Sequence, residues 1–168
     1  MRLGSLHGEP LATRITVILL LAIAAAACCG FLAYSRRKAR LCSQNLQKIY
    51  GALVDYEDRF GFLPKLAFYP DDARLDPDSV TVKLAAFGVL ESDCICPSSP
   101  AVLQDAGITY LWNIALNMQR LEDFSTSTWV MVEIHSLSSS VPAPHLRTYN
   151  ILFTDGRVTK SRRPPDFP

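Results

Sequence analysis

The chain has 168 residues, of which 49% are hydrophobic and 20% charged, and its formal net charge is +1. This length allows one domain of ordinary size, and the near-neutral balance excludes a strongly basic nucleic-acid-binding domain. The charge is unevenly distributed, because residues 1–40 carry six basic side chains against one acidic (+5), whereas residues 41–168 carry 11 against 15 (−4). The sequence therefore divides into a basic N-terminal part and a mildly acidic remainder.

An uncharged apolar segment of twenty residues runs from Ile15 to Tyr34, and a basic cluster, Arg36-Arg37-Lys38-Ala39-Arg40, follows at once. At a rise of about 1.5 Å per residue, a helix of this length spans roughly 30 Å, the thickness of a bilayer core. We therefore predict a transmembrane helix over 15–34, preceded by an N-terminal tail over 1–14. The basic cluster favours lipid headgroups as its partner, and we expect no nucleic-acid partner.

Two alternatives to a retained membrane anchor stay open. Arg14, the apolar core and the small residues of the segment also fit a cleaved signal peptide. Ala25-Ala26-Ala27-Cys28 approximates the lipidation site of a bacterial lipoprotein, in which Cys28 would carry the lipid. A further apolar patch over 30–34 follows both cleavage positions and favours the retained anchor.

The helix is expected to continue over 35–63 as an amphipathic segment. Its apolar side chains recur at steps of four and three residues, which places them on one face of a helix. These side chains are Cys42, Leu46, Ile49, Leu53, Tyr56 and Phe60. Gly61 and Pro64 mark its end. We expect this face to pack against a sheet of the same chain.

Residues 64–160 are predicted to form a small head. A loop over 65–78 precedes a short helix over 79–91, which Asp78 or Ser79 caps. The side chains expected to face inwards on this helix are Val82, Ala85, Ala86 and Val89.

The strands of the head are predicted from runs of β-branched and aromatic residues. They are expected over 108–113, 127–135, 148–153 and 157–160. Asp155-Gly156 separates the last two and predicts a two-residue hairpin turn, with both residues at positive φ. The Pro-rich end over 161–168 is expected to be a C-terminal tail. Helices on one side of antiparallel strands make an α+β fold.

The cysteines of the head predict a disulfide in an oxidising compartment. Cys42 lies on the amphipathic helix, whereas Cys94 and Cys96 share a loop, and Cys42 is expected to pair with one of these two. A one-residue gap between Cys94 and Cys96 fits zinc-ligand spacing poorly, so no metal site is expected.

Three stretches carry a family resemblance. The first is residues 42–53 (CSQNLQKIYGAL), with Tyr56, Gly61 and Pro64; the second is Ile95-Cys96-Pro97-Ser98; the third is His145, followed after nine residues by Asp155-Gly156. Together they resemble the type IV pilins and type II secretion pseudopilins of bacterial envelopes. The similarity is greatest to the pseudopilin-like group that carries a prepilin-processing-associated motif of His, nine residues and Asp-Gly.

The resemblance implies a non-catalytic, membrane-anchored structural or assembly protein without cofactors. Its implied partners are membrane lipid, other pilin-like subunits or secretion-platform proteins. It also implies a single pass through the bacterial cytoplasmic membrane with the head on the periplasmic side. The positive-inside rule, taken alone, favours a cytoplasmic head, because four basic residues follow the apolar segment and two precede it. The alternative is an envelope lipoprotein or anchored binding module with the same head.

The processing site of that family is degenerate in this chain. Ile15-Thr16-Val17-Ile18-Leu19 aligns with the start of the family's mature helix. Arg14 stands where the processing peptidase needs Gly, and Leu19 stands where assembly uses Glu. We therefore expect the chain to keep its leader and to stay in the membrane as a single-pass anchor.

Catalytic residues are not expected. A cysteine–histidine site would draw its members from His135, His145, Glu133, Asp155, Cys94 and Cys96. Such a site needs a base within about 3 Å of the nucleophile, which spacing alone does not establish. We expect Asp155 to be a turn residue and His145 to be a latch that hydrogen-bonds the hairpin.

Overall fold

The computed structural model describes residues 11–138 and 141–167, and only the backbone of residues 11 and 12. The chain divides into two compact units, Met1–Tyr34 and Ser35–Pro168. The first helix, α1, is Leu11–Phe60. The predicted tail over 1–14 is therefore wrong in its last four residues, because extending an existing helix forms one hydrogen bond per residue without a new nucleus. Residues 1–10 of that tail lie outside the described residues.

The first unit contains the N-terminal part of α1. Among the described residues, one helix is long and apolar enough to cross a membrane by length and composition, with a mean hydropathy of 2.7 in its apolar window. The large side chains of this window are exposed; Ile18, Leu21 and Ile23 each expose about 65% of their surface. An apolar surface of this extent is compatible with a single membrane span.

The second unit combines the rest of α1 with a four-stranded sheet. The strands are β1 (Tyr110–Trp112), β2 (Trp129–Glu133), β3 (Tyr149–Phe153) and β4 (Val158–Ser161). They lie in the order β1-β2-β3-β4, and every neighbouring pair is antiparallel. The predicted α+β fold is confirmed.

The predicted apolar face of α1 packs on one face of the sheet. Cys42, Leu46, Ile49 and Leu53 are completely buried. They share a core with Tyr110, Trp112, Met131 and Leu152 of the sheet. Burial of each large aliphatic side chain contributes about 1.5–3 kcal/mol. At the helix end Tyr56 is only partly buried and Phe60 is 46% exposed, because both pack on Phe87 instead of on a strand.

The opposite face of the sheet is covered by loops. The Trp129 ring and the Phe68 ring both contact the Phe167 ring edge-on, with centroid distances of 5.6 and 5.9 Å. Trp129 also donates from Nε1 to the Asp166 carbonyl at 3.1 Å. The predicted C-terminal tail over 161–168 is therefore packed on the head as far as Phe167; Pro168 lies outside the described residues.

The predicted helix over 79–91 is interrupted. Its first part, α2 (Val80–Lys83), is capped by Ser79, whose Oγ accepts from the Thr81 N–H. A 3₁₀ turn over Ala85–Phe87 follows and ends at Gly88. The tighter turn rotates the inward face, so that Val80, Leu84 and Val89 are buried. The prediction was right for Val89 and wrong for Val82, Ala85 and Ala86, which are exposed.

The remaining helical segments are short. One further α-helix, α3, is Ala101–Asp105. The other 3₁₀ turns are Glu91–Cys94, Ile114–Leu116, Leu121–Asp123 and Ile134–Leu137. Glu91–Cys94 and α3 precede β1, whereas the last three of these turns lie between strands.

The turn between β3 and β4 has three residues, so the predicted two-residue turn is wrong. The Gly156 N–H donates to the Phe153 carbonyl at 2.9 Å, and the Phe153 N–H donates to the Arg157 carbonyl at 3.0 Å. Gly156 has a φ of 78°, whereas Asp155 is not at positive φ. This is the three-residue hairpin with glycine in the left-handed position. Asp155 is a turn residue, as expected: its Oδ1 accepts from the Arg157 N–H at 3.0 Å.

The same turn lies against α1. Tyr50 donates from its hydroxyl to the Thr154 carbonyl at 2.8 Å. A Cβ at position 156 would lie 2.6 Å from Cε1 of the Tyr50 ring. Glycine is therefore required at this position by the backbone conformation and by the approach of the Tyr50 ring.

Replacement of Gly156 by alanine tests this contact. Gly88 is the matched control, because its φ is 83° and nothing lies within 4 Å of an added Cβ. Both substitutions place a side chain on a residue in the left-handed conformation, which costs about 1–2 kcal/mol. We expect Gly156→Ala to lower the free energy of unfolding by about 1–3 kcal/mol more than Gly88→Ala, through overpacking. Denaturant titration followed by near-UV circular dichroism measures both; equal losses would contradict the close approach to Tyr50.

Candidate functional site

A disulfide joins α1 to the loop that follows the 3₁₀ turn at Glu91–Cys94. Cys42 and Cys96 are its partners, with a Cα–Cα distance of 5.0 Å. Of the two partners that the sequence left open for Cys42, the structure has Cys96. Cys94 remains a buried free thiol. Burial raises its pKa to about 11, so Cys94 stays protonated at neutral pH and is a packing residue rather than a nucleophile.

Polar side chains of α1 bind the segment over residues 92–96, which we call the cysteine loop and which includes part of that 3₁₀ turn. Asn45 donates from Nδ2 to the carbonyls of Ile95 and Ser92, at 3.0 and 3.2 Å. One turn further on, the Lys48 ammonium lies 2.8 Å from Oδ1 of Asp93. The helix positions at i, i+3 and i+6 from Cys42 therefore all contact the cysteine loop, which fixes Cys96 against the helix.

His145 lies against the disulfide on its other side. Its Nε2 is 2.6 Å from Oε1 of Glu133 and 3.4 Å from Sγ of Cys96. All three side chains are buried. Its Nδ1 is buried and has no hydrogen-bond partner among the described residues. The side chain is thus held through one ring nitrogen, which contacts both an acid and a sulfur.

The carboxylate of Glu133 connects β2 to β3. Oε2 accepts from the Asn150 backbone N–H at 3.0 Å, and Oε1 accepts from the Asn150 side-chain amide at 3.1 Å. With His145, three donors therefore bind a carboxylate whose side chain is completely buried. An unpaired buried charge is strongly destabilising, and these three hydrogen bonds offset the cost of burying the carboxylate.

A tight turn aims His145 at Glu133. The His145 and Thr148 backbones exchange two hydrogen bonds, of 3.3 and 3.1 Å. Between them Leu146 and Arg147 have φ values of 53° and 68°. This is the two-residue turn with both residues at positive φ, formed here without glycine or asparagine, at a cost of roughly 1–2 kcal/mol per residue. The pairing of His145 with Glu133 offsets that strain.

A second histidine lies close to the pair. His135 is buried in the 3₁₀ turn after β2. Burial lowers its pKa; the Glu133 carboxylate opposes this effect, and His145 adds to it. The lowered pKa favours the neutral form of His135 at neutral pH.

The geometry differs from a catalytic relay. In a nucleophile–histidine–acid relay, the two ring nitrogens of the histidine face the two partners separately. Here Nε2 of His145 faces both Sγ of Cys96 and Oε1 of Glu133. Cys96 is also oxidised and buried. These three residues converge on one point, and the arrangement fits a latch between elements of the head.

The predicted motif residues fall into separate places. The His145 side chain contacts Glu133 of β2, and the His145 backbone exchanges hydrogen bonds with Thr148, the first residue of the predicted hairpin. Asp155 and Gly156 lie at the turn that contacts Tyr50. In the first unit, Arg14, Ile15 and Leu19 are exposed on α1. Asn150 of β3 and Tyr50, which lies within the first stretch of the resemblance, complete the contacts.

Comparison of the chain with protein-family models, with curated proteins and with solved structures finds no match. The roles of these residues are accordingly inferred from their contacts and chemistry.

Removal of the buried acid tests the latch. We expect Glu133→Ala to lower the free energy of unfolding by about 3–5 kcal/mol, because the buried His145 and Asn150 donors lose the acceptor of three hydrogen bonds. Glu122→Ala is the control: its side chain is 65% exposed and forms a surface ion pair with Arg120, so the loss should stay below about 1 kcal/mol. His145→Ala should also destabilise; an unchanged denaturation midpoint for this variant would rule out the latch.

The disulfide closes a loop of 54 residues. From loop-closure entropy alone, its removal in Cys42→Ala/Cys96→Ala should lower the free energy of unfolding by about 4 kcal/mol. Cys28→Ala/Cys29→Ala removes two exposed cysteines and should leave the head within about 0.5 kcal/mol of the parent. Denaturant midpoints of the two double variants should therefore differ widely; coincident midpoints would contradict a stabilising disulfide.

Proposed function

We propose that this chain is a membrane-anchored, pseudopilin-like structural or assembly protein of the bacterial cell envelope. The observation that carries the proposal is the way in which the three motif-bearing stretches contact one another. Cys42 of the helix stretch is bonded to Cys96 of the second stretch. His145 of the third lies 3.4 Å from Cys96, and Gly156 lies against Tyr50. The residues of the resemblance thus act as one structural unit.

A structural role is supported by burial. Cys42, Cys96 and Glu133 are completely buried, and His145 exposes 5% of its surface. A substrate has no access to groups buried to this degree. The contacts of these residues instead connect α1, the cysteine loop, β2 and the turn before β3. These contacts explain the residues of the cluster by the stability that they give the head.

The disulfide supports a head on the periplasmic side. Disulfides persist in oxidising compartments and are rare in the cytosol. The basic cluster after the apolar segment favours the opposite orientation by the positive-inside rule. The proposal gives more weight to the disulfide, since Cys42–Cys96 lies in the core between helix and head, whereas the basic side chains also fit lipid headgroups on either side.

Assembly through the apolar segment is the proposed mode of action. Its side chains are exposed, and the small residues from Ala24 to Gly30 allow a second helix to approach closely. Leu19 offers no carboxylate for an N-terminal amine, so the packing of helices in this chain relies on van der Waals contact. The anchor is proposed to keep Arg14 and the residues before it.

The test is affinity purification of the full chain, tagged after Pro168, from membranes of its native host after cross-linking. Recovery of pilin-like subunits, a secretion platform protein or its ATPase supports the proposal. Intact-mass measurement of the same sample identifies the N-terminus. A lipid on Cys28 without any assembly partner would instead establish the envelope lipoprotein or anchored binding module. A chain starting at Ile15 would disprove the retained leader.

Orientation is checked separately. A reporter that is active only in the periplasm, fused after Pro168, should be active in intact cells. A silent reporter, with the fusion present in the membrane at normal abundance, would place the head in the cytoplasm and contradict the proposed location.

A further inference from the structure

Four potential metal ligands meet at the latch. They are Sγ of Cys42, Sγ of Cys96, a carboxylate oxygen of Glu133 and a ring nitrogen of His145, and all four atoms lie within 4.8 Å of one another. Each comes from a different part of the fold: α1, the cysteine loop, the end of β2 and the turn before β3. All four residues are buried, so water does not compete for the site.

This donor set is typical of zinc. Zinc takes four ligands in a tetrahedral arrangement, from cysteine thiolates, histidine nitrogens and carboxylate oxygens, at about 2.0–2.3 Å. Ligand atoms around such an ion are about 3.3–3.8 Å apart, which follows from those bond lengths. The four atoms here are at most 4.8 Å apart. Separation of the two sulfurs, together with shifts of about 1 Å elsewhere, is enough to admit the ion.

The geometry that excludes a relay favours a metal. Nε2 of His145 faces both the acid and the sulfur, and a hydrogen-bonding proton lies between Nε2 and Oε1 of Glu133. A cation at the centre of the four atoms would take the place of that proton. Convergence of several donors on one point is the property of a coordination site, whereas a relay is linear.

We propose that the dithiol form of the protein binds one zinc ion through Cys42, Cys96, Glu133 and His145. The disulfide and the zinc-bound dithiol are then alternative cross-links between the same elements. The step begins with reduction: the disulfide takes two electrons and two protons from a dithiol reductant, which itself becomes a disulfide. Zinc then displaces the two thiol protons to solvent, and the proton on Nε2 of His145 moves to Nδ1.

The consequence is a head that stays clamped under reducing and oxidising conditions. Loss of the disulfide alone frees the loop of 54 residues between Cys42 and Cys96. Zinc restores the connection, and because a site of this kind does not exist in the unfolded chain, its binding free energy adds to folding stability. The metal therefore stabilises the reduced protein and has no effect on the oxidised one.

The experiment uses the full chain in detergent, in a Cys28→Ser/Cys29→Ser background that removes the two exposed thiols. A phosphine reduces the disulfide without supplying a competing thiol, and cobalt(II) serves as the spectroscopic probe. We expect one cobalt per chain, with a thiolate-to-cobalt charge-transfer band and tetrahedral ligand-field bands. Equimolar zinc should abolish these bands and raise the melting temperature of the reduced protein, whereas the oxidised protein should bind neither ion.

Three variants identify the ligands. Cys94→Ser is the matched control, since Cys94 is a buried thiol two residues from Cys96, and it should keep the cobalt spectrum. Glu133→Gln and His145→Gln retain the disulfide for folding before reduction, and each should weaken cobalt binding at least tenfold. The proposal is overturned if the reduced parent binds no cobalt, whether or not it stays folded. It is equally overturned if Cys94→Ser abolishes the spectrum, or if His145→Gln and Glu133→Gln bind as tightly as the parent.

Discussion

The buried carboxylate of Glu133 is the constraint on which the polar geometry of the head depends. Its three hydrogen bonds come from His145 and from the backbone and side chain of Asn150. They form only if β2 and β3 pair in the observed register and if the segment before β3 turns His145 back towards β2. Because a buried charge without partners costs several kcal/mol, the acid disfavours every other register. The carboxylate thus specifies one fold more than it adds to stability.

The strained turn at Leu146 and Arg147 is explained by the same requirement. Two non-glycine residues at positive φ are costly, and such strain persists where surrounding contacts determine the conformation. Here the chain must reverse within two residues to enter β3 at Tyr149 while His145 remains within 2.6 Å of Glu133. A glycine would relieve the strain but would also raise the conformational entropy of the unfolded chain. The strained turn is therefore the backbone conformation that brings His145 into contact with Glu133.

Local patterns predicted most of the fold, and contacts between distant residues accounted for the rest. The stripe from Cys42 to Leu53 and the four strands follow from helical and strand periodicity, which short segments display by themselves. The sequence could not choose between Cys94 and Cys96, because both are buried in the core beside Cys42 and the pairing depends on how that core packs. It predicted a two-residue turn at Asp155-Gly156, whereas the structure has a three-residue turn that packs against Tyr50. The partners of Glu133 were unpredictable because Asn150 carries no distinguishing spacing.

The contacts of α1 with the head extend over a long part of the helix. The covalent and polar contacts begin at the Cys42 disulfide, continue through Lys48 and Tyr50, and reach Glu57, whose Oε1 accepts from the Leu121 N–H. At about 1.5 Å per residue this covers roughly 22 Å. The bonds include covalent, ionic and neutral ones, so no single change of pH, salt or redox state releases all of them. Of these, only the disulfide is redox-sensitive. His145 and Glu133 lie beside that disulfide.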